Sequence, residues 1–151
     1  MVEVAEDYRV TVRKPRPTDQ GFVADSWVRN VLQADRKLVR SVVNQQVDRL
    51  LDDQAVRLLI AHEPGQTDQI LGWLAYTPLP RAIVVHFAYV RERIRRKGIG
   101  RALLREATAN QTSVPRLGLH YTMRGPDAAS LLDGRYRDAI KMDLTEFLGE
   151  T

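Results

Sequence analysis

The chain has 151 residues, a length that suits one domain with a core of its own. It contains no cysteine, which excludes disulfides, thiolate metal sites and a cysteine nucleophile. Its net charge of +4 is unevenly placed: residues 91–105 carry +6, leaving −2 on the other 136.

Residues 8–14 alternate Tyr8, Val10 and Val12 with Arg9, Thr11 and Arg13, the pattern of a half-buried strand that Pro15 and Pro17 end. Thr18 or Asp19 offers a helix N-cap, and Phe22, Val23, Trp27, Val31 and Leu32 give the helix that follows an apolar stripe. A second helix is predicted over residues 36–52 from Leu38, Val42, Val43, Val47, Leu50 and Leu51. Three strands come next. Residues 56–62 are mostly apolar and Glu63-Pro64-Gly65-Gln66 turns the chain; His62 and Glu63, at the end of that strand, read as simple turn residues rather than functional ones. The second strand is residues 70–76, closed by a turn at Thr77-Pro78-Leu79-Pro80. The third, Ala82–Val90, is apolar almost throughout and reads as a central strand buried on both faces.

Helical spacing resumes after Gly98 with Ile99, Leu103, Leu104 and Ala107, and Pro115 stops it. Residues 116–123 form a further strand, 127–132 a short helix, and 139–148 a weak closing strand. Trp27, Trp73 and Phe87 are core candidates. The order β-α-α-β-β-β-α-β-(α)-β implies an α/β sheet that is partly antiparallel and partly parallel, in a single domain spanning 1–151. The acidic N-terminus, Met-Val-Glu-Val-Ala-Glu-Asp, does not read as a secretory signal, and no apolar run is long enough for a membrane span, so the expected location is cytoplasmic.

Chemistry concentrates where the central strand meets the next helix. Arginine supplies 19 of the 23 cations, and its planar fork suits phosphate. The basic segment leads through Gly98 and Gly100 into a helix whose first N–H groups have no internal partner, a ready anion site. On charge alone the segment reads either as a solvated basic loop or as a site for a small polyanion or nucleic acid; residues 91–105 contain no aromatic side chain for base stacking, which weighs against nucleic acid. A dinucleotide fingerprint would need glycine at position 103, which is Leu103, and the Gly-Lys-Ser/Thr of a P-loop is absent.

The run Arg95-Arg96-Lys97-Gly98-Ile99-Gly100, with Val90 before it and Arg101 after it, resembles the acyl-CoA pyrophosphate loop of the GNAT superfamily of N-acyltransferases, and the element order over residues 8–123 agrees. The resemblance implies the GNAT fold, a single mixed and partly splayed sheet flanked by helices. It implies acetyl-CoA as co-substrate, a primary amine as acceptor and direct attack of the amine on the thioester. Ala88, Tyr89 and Val90 would face the pantetheine arm and polarise the carbonyl through backbone N–H groups. Arg95, Arg96, Lys97, Gly98, Ile99, Gly100 and Arg101 would surround the pyrophosphate.

Glu92 and Ile94 stand where the family often has proline and an aromatic residue. Residues 125–133, which correspond to a helix bearing a general-acid tyrosine in many members, contain no tyrosine. Tyr121 and Tyr136 are the nearby phenols, and Tyr136 is the candidate proton donor to the thiolate. His86, on the central strand, is the candidate base for the amine, with water and a core histidine bonded to a backbone carbonyl as the other readings; His120 carries less weight. The missing tyrosine keeps a second function open, a catalytically inactive module that binds CoA or nucleic acid. A homodimer is left open.

Overall fold

The computed structural model describes residues 9–79, 82–94, 97–109, 118–121 and 140–141; for Ala82 and the last two segments only the backbone is described. A six-stranded sheet runs in chain order, β1 (Thr11–Arg13), β2 (Arg57–Glu63), β3 (Gln66–Leu79), β4 (Ala82–Val90), β5 (Gly118–Tyr121) and β6 (Ile140–Lys141). Neighbours from β1 to β4 pair antiparallel, whereas β4–β5 and β5–β6 pair parallel. The mixed sheet expected from the element order is present. The parallel register extends from Ala82–Gly118 to Val85–Tyr121.

Two helices cover one face. α1 (Gln20–Ala34) and α2 (Arg40–Asp52) bury Val23, Trp27, Val31, Val43, Val47 and Leu50 against Ile60, Ile70, Trp73, Ala75 and Phe87. Trp27, Trp73 and Phe87 form an aromatic cluster with centroid separations of 5.3–5.9 Å, so the three core candidates meet. On the opposite face α3 (Ile99–Ala107) seats Ile99, Leu103, Leu104 and Ala107 against Leu59, Leu74, Ile83, Val85, Ala88 and Val90. With helices on both faces, β4 has no solvent side, which is why its sequence is apolar without alternation.

Several expectations are corrected. α2 begins at Arg40, four residues later than predicted, and Leu38, Val39 and Val42 are exposed. Leu38 and Val39 lie before the helix and Val42 in its first turn, so they prolong the apolar spacing without joining the core. β3 does not turn at Thr77; it continues to Leu79, with Thr77 opposite Val84 and Pro78 opposite Ile83. β2 pairs with β3 only as far as Tyr76, so Pro78 sits where β3 is locally an edge and a missing N–H is tolerated. His62 is not a turn residue but is buried in β2, with Nδ1 2.7 Å from the Glu63 carbonyl. The Glu63–Gln66 turn is present, and Gly65 takes the left-handed φ of 80° that its tight hairpin requires.

Asp19 precedes α1 but its carboxylate does not cap that helix. It takes hydrogen bonds from the Arg13 guanidinium at 2.8 and 3.0 Å and from the Arg16 backbone N–H at 2.6 Å. The Arg13 hydrogen bonds hold its carboxyl below the usual range, and the pair ties β1 to the start of α1. The predicted helix over residues 127–132 lies outside the described residues.

Candidate active site

The site is built where β4 changes register. Ala75 lies opposite Phe87 while Tyr76 lies opposite Val85, so His86 is an extra residue and β4 carries a bulge there. The bulge shifts the alternation of side chains by one. Before it, Ile83 and Val85 join the α3 core; after it, Ala88 and Val90 do, while Phe87 and Tyr89 turn toward α1 and α2. Tyr89 is half-buried, edge-on to Phe22 at 5.8 Å and stacked on Trp73 at 6.1 Å. Its ring therefore lies on the face opposite Ala88 and Val90.

His86 is completely buried, and its Nε2 is 2.8 Å from the hydroxyl oxygen of Thr77 on β3. Burial lowers its pKa from 6.5 to about 4, against a weaker opposing effect of Asp53, so the imidazole is neutral at neutral pH.

Beyond Val90 the backbone N–H of Arg91 donates to the Leu71 carbonyl at 2.9 Å, holding the exit of β4 against β3. Antiparallel alternation then turns the amides of Tyr89 and Phe87 toward β3 and that of Ala88 toward the other edge of β4. A short 3-10 turn, Glu92–Ile94, follows. Gly98 opens α3 with φ 88° and ψ 6°, a left-handed conformation that other residues adopt at a cost. The first intrahelical bond described goes from the Ala102 N–H to the Gly98 carbonyl at 2.9 Å, so the N–H groups of Ile99, Gly100 and Arg101 precede the helical ladder. No side chain caps this end and its first turn contains no acid. Lys97 and Arg101 are exposed beside it, and Ile99 is buried and anchors the turn to the sheet. The arrangement is suited to an anion by geometry, by the helix dipole and by charge. Arg95, Arg96 and Tyr136 lie outside the described residues.

The model of the acetyltransferase (GNAT) family matches residues 22–126, well over half the chain. The chain belongs to the GNAT acetyltransferase family. Solved structures share its fold. A possible acetyltransferase from Clostridium difficile 630 is 17% identical and superposes with a TM-score of 0.60, over 90% of this chain and 93% of that one. A ribosomal-protein-alanine N-acetyltransferase from Brucella melitensis biovar Abortus 2308 is 24% identical with a TM-score of 0.56, over 82% and 88%. A GNAT family acetyltransferase from Brucella melitensis, solved in complex with acetyl-CoA, is 21% identical with a TM-score of 0.55, over 82% and 81%. No curated protein sequence matches the chain.

Two residues of this candidate site were not singled out by the sequence. Gly72 faces Val90 across the β3–β4 ladder, and a Cβ there would lie 2.6 Å from the Tyr89 carbonyl oxygen and 3.2 Å from Ile99 Cγ2. Only glycine lets β4 and the start of α3 close over this point. Its signal was available, since an isolated glycine within a strand pattern marks close backbone approach. Thr77, the partner of His86, was hidden by the turn read into Thr77-Pro78.

Proposed function

We propose that this chain transfers the acetyl group of acetyl-CoA to a primary amine by direct attack. One observation carries the reading: a left-handed glycine opens α3 at the end of the central strand, leaving an uncapped helix start flanked by exposed cations and free of acids. The N–H groups of Ile99, Gly100 and Arg101 would hold the pyrophosphate, with Lys97 and Arg101 compensating its charge and Arg95 and Arg96 adding to the same basic run. The backbone of Ala88, Tyr89 and Val90 would receive the pantetheine arm, with the edge-facing amide of Ala88 placed to polarise the carbonyl.

Acetyl-CoA supplies a thioester. The neutral amine attacks its carbonyl carbon, the C–S bond breaks, and the CoA thiolate leaves and is protonated. Tyr136 is the proposed donor of that proton. The amine must give up a proton of its own, and solvent is the better acceptor. His86 is sealed from water, and with a pKa of about 4 it is a weak base.

The test is an acetylation assay with acetyl-CoA and a panel of primary amines covering peptide N-termini, lysine side chains, polyamines and aminoglycosides. Release of CoA thiol should match the formation of one acetylated amine seen by mass spectrometry. If no amine in the panel is acetylated while acetyl-CoA still binds, the CoA-binding module replaces the enzyme.

A further inference from the structure

We infer that His86 is a positioning residue whose bond to Thr77 holds the β4 bulge in place and so fixes which backbone groups of β4 face the thioester. The inference rests on the acetyl-transfer reading given above.

β4 has an intrinsic weakness. A strand buried on both faces has no polar–apolar alternation to set its register, so a one-residue slip is not penalised by exposing an apolar side. Of the nine residues in Ala82–Val90, eight are aliphatic or aromatic, and Tyr89 carries its hydroxyl at the half-buried end. His86 is the strand's one residue with a polar atom sealed in the core, and it stands where the register steps. A buried imidazole nitrogen without a partner costs free energy, and Thr77 supplies the partner at 2.8 Å. The pair thus makes one placement of the bulge more favourable than its neighbours.

Placement matters because everything downstream depends on it. With the bulge at His86, Phe87 and Tyr89 meet the aromatic cluster while Ala88 and Val90 meet α3. Moving the bulge beyond Phe87 would reverse these assignments for the residues between and turn a different amide to the open edge of β4. A displacement of that kind at the reacting carbonyl lowers turnover while leaving the pyrophosphate grip at α3 intact.

Three variants test this. Thr77→Val removes the bond but keeps the shape, and His86→Ala removes the imidazole. His86→Gln can still bond to Thr77 but cannot serve as a base. Thr77→Val and His86→Ala should lower kcat by about 10–100-fold, the scale of a misplaced reacting group, with KM for acetyl-CoA changed by less than about threefold. His86→Gln should restore kcat to within about threefold of wild type, whereas loss of a true base would cost roughly 10²–10⁴-fold. An unchanged kcat in Thr77→Val, or a His86→Gln rate as low as that of His86→Ala, would overturn the inference.

Backbone amide NMR provides a readout that needs no turnover. In Thr77→Val the resonances of Phe87, Ala88 and Tyr89 should shift while those of Gly98, Ile99 and Gly100 stay in place. Unmoved β4 resonances would overturn the inference even if the wild type acetylates no amine. Should the variants fail to fold, the wild-type imidazole decides: it should show one fixed tautomer without titrating between pH 8 and 5. Titration near pH 6.5 would contradict it.

Discussion

Gly98→Val is expected to abolish the rise in melting temperature that acetyl-CoA should give the wild-type protein. Gly98 holds φ at 88°, and a β-branched residue is a true outlier there. The chain must rotate out of the left-handed region, which redirects the N–H groups of Ile99, Gly100 and Arg101. The fold itself should survive. The strain amounts to about 1–2 kcal/mol, equivalent to a few degrees of melting temperature for a chain of this size. The ligand effect is larger and separable: at a hundred times its Kd a ligand bound only to the native state contributes about 2.7 kcal/mol. Thermal melts of both proteins with and without acetyl-CoA make the comparison. A variant that keeps the full ligand-induced shift would show that this helix start is not where the cofactor is held.

Gly72→Val has the largest expected effect on the fold. The new Cβ would sit 2.6 Å from the Tyr89 carbonyl oxygen, a backbone atom fixed by the β3–β4 ladder. No rotamer change relieves that contact. The opposite neighbour, Ile99 Cγ2 at 3.2 Å, belongs to a fully buried side chain with little room to retreat. The expected cost is about 3 kcal/mol, at the upper end of ordinary overpacking. For a chain of this length that lowers the melting temperature by roughly 6–12 °C. Gly72→Ala should do the same to a smaller degree, because the first added carbon already makes the clash. Whatever folded protein remains should bind acetyl-CoA more weakly, since Tyr89 lies on the strand and Ile99 on the helix that bound the site. A Gly72→Val melt equal to wild type would mean that β4 and α3 pack less closely than described.

How much of this was legible in the sequence depended on whether a signal was local. The strand Ala82–Val90, the glycine-bearing helix start and the Glu63–Gln66 turn each state their structure in a few consecutive residues, and each is found where expected. The β4 bulge is not legible because both faces of the strand are apolar, so alternation carries no information about where the register steps. The Thr77–His86 bond needs the β3–β4 pairing before it can be imagined, and Pro78 argued against that pairing. Asp19 looked like a helix cap because short-range rules favour aspartate there; Arg13 claimed it through a bidentate charge-assisted contact across six residues. The role of His86 shows the same limit. Its residue type and position suggested a base, whereas its burial and its neutral state follow only from packing.

The charge distribution, by contrast, is what singles out the proposed pyrophosphate site in the sequence. Six net positive charges fall in fifteen residues, and α3 adds its dipole at the same place. The five cations described in this stretch, Arg91, Arg93, Lys97, Arg101 and Arg105, are exposed rather than committed to the core.

Calorimetric titration of the wild-type protein, first with acetyl-CoA and then with S-acetylpantetheine, tests the central claim most directly. The second ligand has the same thioester and much of the same arm but lacks the pyrophosphate and nucleotide. If the basic segment and the start of α3 hold the pyrophosphate, acetyl-CoA binds saturably at one site per chain, and S-acetylpantetheine gives no binding heat at the same concentrations. Equal binding of the two ligands, or no heat from acetyl-CoA at millimolar concentration, would contradict the account.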